Sequence, residues 1–563
     1  MAPTAGGAPV PNAISDRRQR LAGPKGVKGI LANGQIFAIA VFASFGGLVY
    51  GYNQGMFGQI LNMSSFAKTV HPDSISNPTA RGLLTSILEL GAWVGALSNG
   101  YIADRLGRKL CVDVAVFVFV VGVIVQACAK EPSYILGGRF VTGLGVGSLS
   151  MVVPLYNAEL APAEIRGALV ALQQLSITFG IMVAYWIGYG TNFIGGTGDS
   201  QSKAAWLIPI CIQILPALIL GVGMNFMPQS PRWLMSKGRD EECLQTIARI
   251  RHADVEHEIV VLEYLEIKAQ QMFDDETSEM LFPEYQDKSA KSSFMLGYHA
   301  YARLFTNKAL FKRTSVSILV MLFQQWTGIN AILYYAPFIF QDLGLTGNSS
   351  SLLASGVCGV VMFLATIPAV LFIDNLGRKP VLICGALGMA VCHFIVAGIS
   401  GAYEDSWGSH KAAGWVAVVF VWFFVVHFGY SWGPAAWIVI AEIFPLGVRA
   451  KGISIGASSN WLNNFAVGMA TSDMLDNMRY GTYIFFGIIC VIGSVYIYFI
   501  VPETKGRTLE EMDELFKDDS GEGKADAERL NRIWRELGMF DAQLPNVHQM
   551  MDPEKASIAM VDV

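Results

Sequence analysis

Apolar residues in this chain neither alternate nor keep to one helical stripe; they come in uncharged blocks separated by short polar turns. Twelve such blocks can be marked, at 35–55, 81–103, 110–129, 134–157, 167–190, 204–227, 313–341, 350–373, 380–401, 412–441, 452–472 and 480–501. Each is close to the ~20 residues a helix needs to cross a bilayer, and only a helix satisfies its own backbone there. The pattern predicts an all-α membrane protein with twelve transmembrane helices. The stretches 167–198, 204–231 and 412–441 contain no Asp, Glu, Lys or Arg, whereas three blocks carry a charge inside, at Glu89, Asp113 and Arg139. The polar remainder falls in three places: residues 1–34, a linker at 228–312, and residues 502–563. In the linker, 240–252 and 256–272 place apolar residues at helical spacing, which predicts short surface helices beneath the bundle. The charged, poorly patterned chain from about Asp513 is expected to be largely disordered.

Composition agrees: 53% of the 563 residues are hydrophobic against 15% charged, and the mean hydropathy is +0.42. Forty basic residues against 45 acidic give a net charge of −5, which offers no footprint for nucleic acid. Seven of the eight cysteines lie in apolar stretches, and none has metal-ligand spacing, so no disulfide framework, metal or other cofactor is expected. No nucleophile constellation or nucleotide loop suggests an enzyme.

Residues 1–34 lack the apolar core of a signal peptide and hold Arg17, Arg18, Arg20, Lys25 and Lys28. Placing them in the cytoplasm also places Arg105, Arg108, Lys109, Arg166, Arg378, Lys379, Arg449 and Lys451 there, 13 basic residues in all. The opposite loops have about six, so both termini are expected inside. The glycosylation acceptors Asn62 and Asn348 then fall outside.

The two sets of six blocks repeat. Asp104-Arg105-Leu106-Gly107-Arg108-Lys109 follows the second block, and Asp374-Asn375-Leu376-Gly377-Arg378-Lys379 follows the eighth. Glu159 precedes Arg166 by seven residues, and Glu442 precedes Arg449 by seven. A six-helix unit written twice, 35–227 and 313–501, points to a transporter with its substrate site at the midplane between halves.

Further motifs carry a family resemblance. They are Gly138-Arg139-Phe140 with Gly143, Gly145 and Gly147; Pro228-Gln229-Ser230-Pro231-Arg232; Gln324-Gln325-Trp326-Thr327-Gly328-Ile329-Asn330 with Tyr334-Tyr335; and Pro502-Glu503-Thr504-Lys505-Gly506. Over residues 35–516 the chain resembles the sugar porter branch of the major facilitator superfamily, of fungal hexose-carrier type, with Gln229 where the family usually has Glu. The resemblance implies sugar contacts at Gln174, Gln324, Gln325, Asn330 and Asn460, a stacking aromatic at Trp437 and an extracellular gate at Tyr334 and Tyr335. Carboxamides suit a neutral polyhydroxylated ligand, offering donors and an acceptor with no charge to desolvate. Taken singly, an intramembrane amide is more often interhelical glue. Met362 and Gly429 replace polar residues found in relatives, which leaves the sugar open.

Coupling is open too. Asn53 stands where proton-coupled members carry Asp, which favours uniport, but Glu89 is an intramembrane carboxylate at roughly the depth of Asn53 and Arg139 and could couple protons instead. Asp104, Arg105, Arg108, Glu159, Arg166, Asp374, Arg378, Glu442 and Arg449 are expected to form ion pairs that hold the cytoplasmic side closed while the site faces out. Rival readings are a polyol, pentose or quinate/sugar-acid transporter and a non-transporting sugar sensor. The resemblance implies the lipid bilayer of the plasma membrane as surroundings, with a sugar as ligand, protons as well if transport is coupled, and one chain sufficing.

Overall fold

The computed structural model describes residues 12–21, 34–160, 166–285, 290–345, 347–445, 448–505, 516, 522–541 and 544–545. Its long helices are Gly34–Leu61, Pro78–Leu106, Arg108–Ala127, Pro132–Leu160, Arg166–Thr191 and Ala204–Met224, then Lys308–Asp342, Asn348–Leu376, Arg378–Tyr403, Lys411–Glu442, Arg449–Met478 and Gly481–Ile500. These are spans one to twelve below, and they form the major facilitator fold. The large apolar side chains Phe117, Phe226 and Phe499 stay exposed on the bundle's outer face, where lipid covers what water would not.

Glycine sets the geometry at two kinds of place. Gly107 (φ 87°) and Gly377 (φ 89°) make the same sharp turn between spans two and three and between spans eight and nine. In spans two and four, a Cβ at Gly91, Gly143 or Gly147 would lie 2.2, 2.1 or 2.0 Å from a backbone oxygen of the other helix. Only bare backbone allows that approach, and it packs together the helices that carry Glu89 and Arg139.

The ends nearest the linker repeat almost atom for atom. Arg108 makes a bidentate pair with Glu159 (2.9 and 2.7 Å), whose Oε2 also accepts from Ser230 (2.5 Å). Arg378 pairs with Glu442 (3.1 Å), whose Oε2 accepts from Thr504 (2.5 Å). Glu503 then caps span nine, accepting the backbone N–H of Arg378 and Lys379 at 3.0 Å each. Its counterpart Gln229 leaves Oε1 buried with no partner.

With the opposite side closed, the residues expected to form the cytoplasmic gate pair within their own halves. Each pair joins helices of one half; Asp104 likewise pairs with Arg108 (3.1 Å). The Glu442–Arg449 pairing suggested by the seven-residue spacing gives way to Glu442–Arg378, while Arg449 donates to the Phe444 carbonyl (3.2 and 3.1 Å). Glycine turns bring Arg108 and Arg378 back under their own bundles, which sequence spacing does not report. Arg105 ends span two exposed, and the side chains of Arg166 and Asp374 lie outside those described.

Across the bundle from the linker, the two halves meet directly. Arg81 of span two donates to Ser472 (2.9 Å) and Asp476 (2.8 Å) of span eleven, and Thr79 donates to Asp473 (3.0 Å). Tyr185 of span five donates to the Leu333 carbonyl (2.6 Å), and at mid-depth Trp93 donates to Ser458 (2.7 Å). The halves are therefore closed on the side away from the linker.

The linker folds as helices Pro231–Ser236, Asp240–Arg251, Glu258–Leu281 and Ala290–Thr306. The expected disorder of the C-terminal tail does not hold at residues 522–536. Glu522–Glu536 is a helix whose Leu530, Ile533 and Trp534 are buried with Leu244, Leu265 and Phe273 of the linker. Its polar positions hide an apolar stripe that becomes evident only against a partner. The N-terminal helix Asn12–Leu21 docks on the same linker helix, burying Ile14 and pairing Arg17 with Glu258 (2.5 Å).

Candidate functional site

Spans seven and ten are both interrupted, and the breaks face each other. Span seven breaks at Gly328 (φ 93°) between helices Lys308–Trp326 and Ile329–Asp342; span ten breaks at Ser431. Broken helices free backbone carbonyls inside the bundle, where they must find protein donors. Gln324 supplies them, its Nε2 donating to the carbonyls of Trp432 (2.8 Å) and Gly433 (3.3 Å). Asn460 of span eleven donates to Gln324 Oε1 (2.5 Å), and Asn330 donates to Gln325 Oε1 (2.5 Å). The four amides are buried, yet Asn460 Oδ1, Asn330 Oδ1 and Gln325 Nε2 have no partner among the described residues. Two acceptors and one amide donor are thus held in place and left over.

Gln174 of span five meets this region from the other half: a Cβ at Gly433 would lie 3.8 Å from its Nε2. Trp437, one turn beyond Gly433, is half-buried against the C-terminal core. The structure thus gathers Gln174, Gln324, Asn460 and Trp437 around the broken spans, with Gln325 and Asn330 forming a second pair next to the break of span seven. Met362 is 4% exposed, an apolar residue in span eight. His393 meets the Thr327 carbonyl at 2.9 Å, a satisfied core histidine.

Tyr334 and Tyr335 lie where the second helix of span seven bends, Tyr335 having φ −112° and ψ 15°. Tyr334 donates to Asn464 Oδ1 (2.9 Å) and Tyr335 to the Gly468 carbonyl (2.8 Å). Gly58 of span one touches the Tyr334 carbonyl so closely that a Cβ there would come within 2.2 Å. These tyrosines join the broken span to span eleven and lean on the N-terminal half.

The N-terminal half contributes charge. Arg139 of span four, 2% exposed, donates to the Thr85 carbonyl (2.7 Å) and rests 3.7 Å above the Phe57 ring, with Nε and Nη1 unpartnered. Glu89 of span two, 1% exposed, interacts with Arg139, Tyr50 and Tyr334, and its Oε2 is unpartnered. Among the described residues the two charges form no ion pair. Asn53 donates to the Val49 carbonyl one turn back (3.0 Å), with Oδ1 unpartnered.

Sequence reasoning passed over Arg81 and Trp93. Arg81 had a signal: a cation in the first turn of a helix opposes the helix dipole and needs an external partner. On the same side as Arg81, Asn62 accepts from Gln341 (3.1 Å), and the side chain of Asn348 lies outside those described.

The model of the family described as "Sugar (and other) transporter" matches residues 39–516. The chain is 33% identical over 501 residues to high-affinity glucose transporter 1 of Candida albicans, covering 86% of each. It is 35% identical over 504 residues to the high-affinity glucose transporter of Kluyveromyces lactis, covering 86% of this chain and 85% of that one. A probable quinate permease of Aspergillus niger is 33% identical over 545 residues, covering 93% and 96%. Among solved structures, the proton:xylose symporter XylE bound to 6-bromo-6-deoxy-D-glucose matches with a TM-score of 0.68 at 29% identity, over 86% of this chain and all of the other. The partially occluded, inward-open form of XylE from E. coli matches at 0.67 and 27%, over 84% and 99%. With this match, the repeated six-span plan and the paired helix breaks, the chain belongs to the sugar transporter family of the major facilitator superfamily.

Proposed function

We propose that this membrane protein carries a neutral hexose across the bilayer by alternating access, its linker and termini facing the cytoplasm at the plasma membrane. The observation that carries the reading is the uncharged amide set. Gln324 and Asn460 are locked to the broken spans, and the atoms they and the Gln325–Asn330 pair leave over match a ligand whose hydroxyls both donate and accept. Trp437 supplies a ring for the apolar face of a pyranose. The names of the glucose-transporting relatives support hexose as the substrate class. Quinate is the second substrate reading, supported by the permease relative. It is weaker because the candidate contacts named above include no cation to meet a carboxylate.

Alternating access follows from where the halves touch. Arg81, Thr79 and Tyr185 close the side opposite the linker, which this orientation makes the outer side. Opening outward breaks those contacts. Sugar bound between Gln174 of one half and the amides of the other stabilises the closed intermediate by bridging both. Asn53 cannot exchange a proton and by itself supports facilitated uniport. A second reading, proton symport, is favoured by the burial of Glu89.

The test is labelled-sugar uptake in cells lacking hexose carriers, at acidic and near-neutral external pH, with and without a protonophore. Glucose entry competed by hexoses and not by quinate is the expected result. Quinate entry without glucose entry would replace the hexose reading.

A further inference from the structure

Helix Ala290–Thr306, the last of the linker, turns outward the kind of side chain that a helix in water would bury. Ala300 and Leu304 are buried on its inner side. Its outer positions, at helical spacing, are Tyr298 (60% exposed), Tyr301 (37%) and Phe305 (49%). A helix bathed in water places charged and polar residues there. No Asp or Glu occurs from 290 to 341, whereas Lys291, Arg303, Lys308 and Lys312 all fall within 290–312. An aromatic face with a basic flank and no acid suits a helix lying in a membrane surface, its rings at the acyl boundary and its ammonium groups among the head groups.

We infer that this helix docks on anionic phospholipid of the cytoplasmic leaflet, with Tyr298 and Phe305 at the acyl boundary and Lys308 and Lys312 on the head groups. This rests on the transport reading only for the cytoplasmic position of the linker. The place of the helix favours lipid over a soluble partner. Asn307 caps span seven, its Oδ1 accepting the N–H groups of Ala309 (2.9 Å) and Leu310 (3.2 Å), so one capping residue separates the helix from a membrane span. In the first turn of that span Phe311 is 48% exposed, which carries the aromatic face on into the outer surface of the bundle. Lys308 and Lys312 are exposed one turn apart on one side of the span. Lys312 Nζ reaches the Phe516 carbonyl (3.5 Å), which uses one of its three hydrogens. The cytoplasmic leaflet is the negatively charged one, and each basic residue close to it adds about fivefold in affinity.

The helix is tied to the spans that hold the amides. It leads directly into span seven, and Tyr301 donates to Ser454 of span eleven (3.1 Å). Span seven carries Gln324, Gln325 and Asn330, and span eleven carries Asn460. Lipid bound to this helix therefore holds the cytoplasmic ends of both.

The test introduces the photoreactive amino acid p-benzoylphenylalanine at Tyr298, and in a second chain at Phe305, of the full-length protein. Each chain is placed in liposomes of phosphatidylcholine with about one-fifth phosphatidylserine, and the adducts are identified by mass spectrometry. Phospholipid adducts are expected from both positions, with the ratio of phosphatidylserine to phosphatidylcholine about fivefold above that of the bilayer. Lys308→Gln combined with Lys312→Gln should return that ratio to the bilayer's while keeping the lipid adduct. Adducts only on protein, whether this chain or another, overturn the inference. So does a wild-type ratio equal to the bilayer's, which would remove recognition of charge. Glycerophosphoserine, the head group without its chains, should not reduce the lipid adduct; competition would indicate a site for a soluble ligand and overturn docking on the membrane. The adducts form whether or not sugar moves, so glucose entry into the same liposomes judges the transport reading separately.

Discussion

The two halves share one plan and polarise their interiors differently. At mid-depth the C-terminal half holds neutral amides already bonded to one another and to broken helices: Gln324 to Asn460, and Gln325 to Asn330. The N-terminal half holds Glu89 and Arg139, charged residue types buried without an ion pair and with atoms to spare. A network bonded internally is held in place and presents its left-over donors and acceptors to a ligand at fixed positions. Buried charges without an ion pair are held at a cost. On the proposed reading, ligand geometry belongs to one half and the energetics of switching to the other.

The largest test of this division is Asn460→Leu. It removes the donor to Gln324 Oε1 and leaves that buried acceptor unpaired, a cost of about 1–3 kcal/mol. Glucose KM should rise about tenfold to a hundredfold, with little change in the pH profile of uptake. A shifted pH profile with KM unmoved would reverse the assignment of the halves. Next comes Arg81→Met, which deletes the contacts to Ser472 and Asp476 across the outer closure. The outward-open population should grow by about tenfold, seen as faster thiol labelling of a cysteine placed at the outer mouth. Unchanged labelling would mean that the remaining contacts, Tyr185 to Leu333 among them, suffice.

The smallest effect concerns the ends that look most alike. Glu503 caps span nine while its counterpart Gln229 leaves Oε1 buried and unpartnered. Gln229→Glu should let the carboxylate cap span three as Glu503 caps span nine, stabilising the protein by about 0.5–1 kcal/mol with transport intact. A lower melting temperature would show that the two junctions are not equivalent.

Span count, the repeat and the identity of the polar intramembrane residues were set by the chain itself. Uncharged runs of sufficient length have only one structure open to them in lipid, and the duplicated Asp-x-Leu-Gly-Arg-Lys turns need glycine at the same place. Amides in apolar runs were legible for the same reason, since each had to be bonded to something. What each was bonded to was decided only in three dimensions. Arg378 rather than Arg449 takes Glu442 because a glycine turn folds span nine back beneath span ten, a distance that residue spacing cannot encode. Glu89 meets Tyr334 because glycine faces let the helices approach to backbone contact and because span seven bends at Tyr335. The helix at 522–536 looked polar because its apolar stripe is narrow, and docking on the linker is what buries it. Backbone satisfaction in lipid is a local demand, written along the sequence; the pairing of buried polar groups depends on which helices touch, and that is a property of the packed bundle.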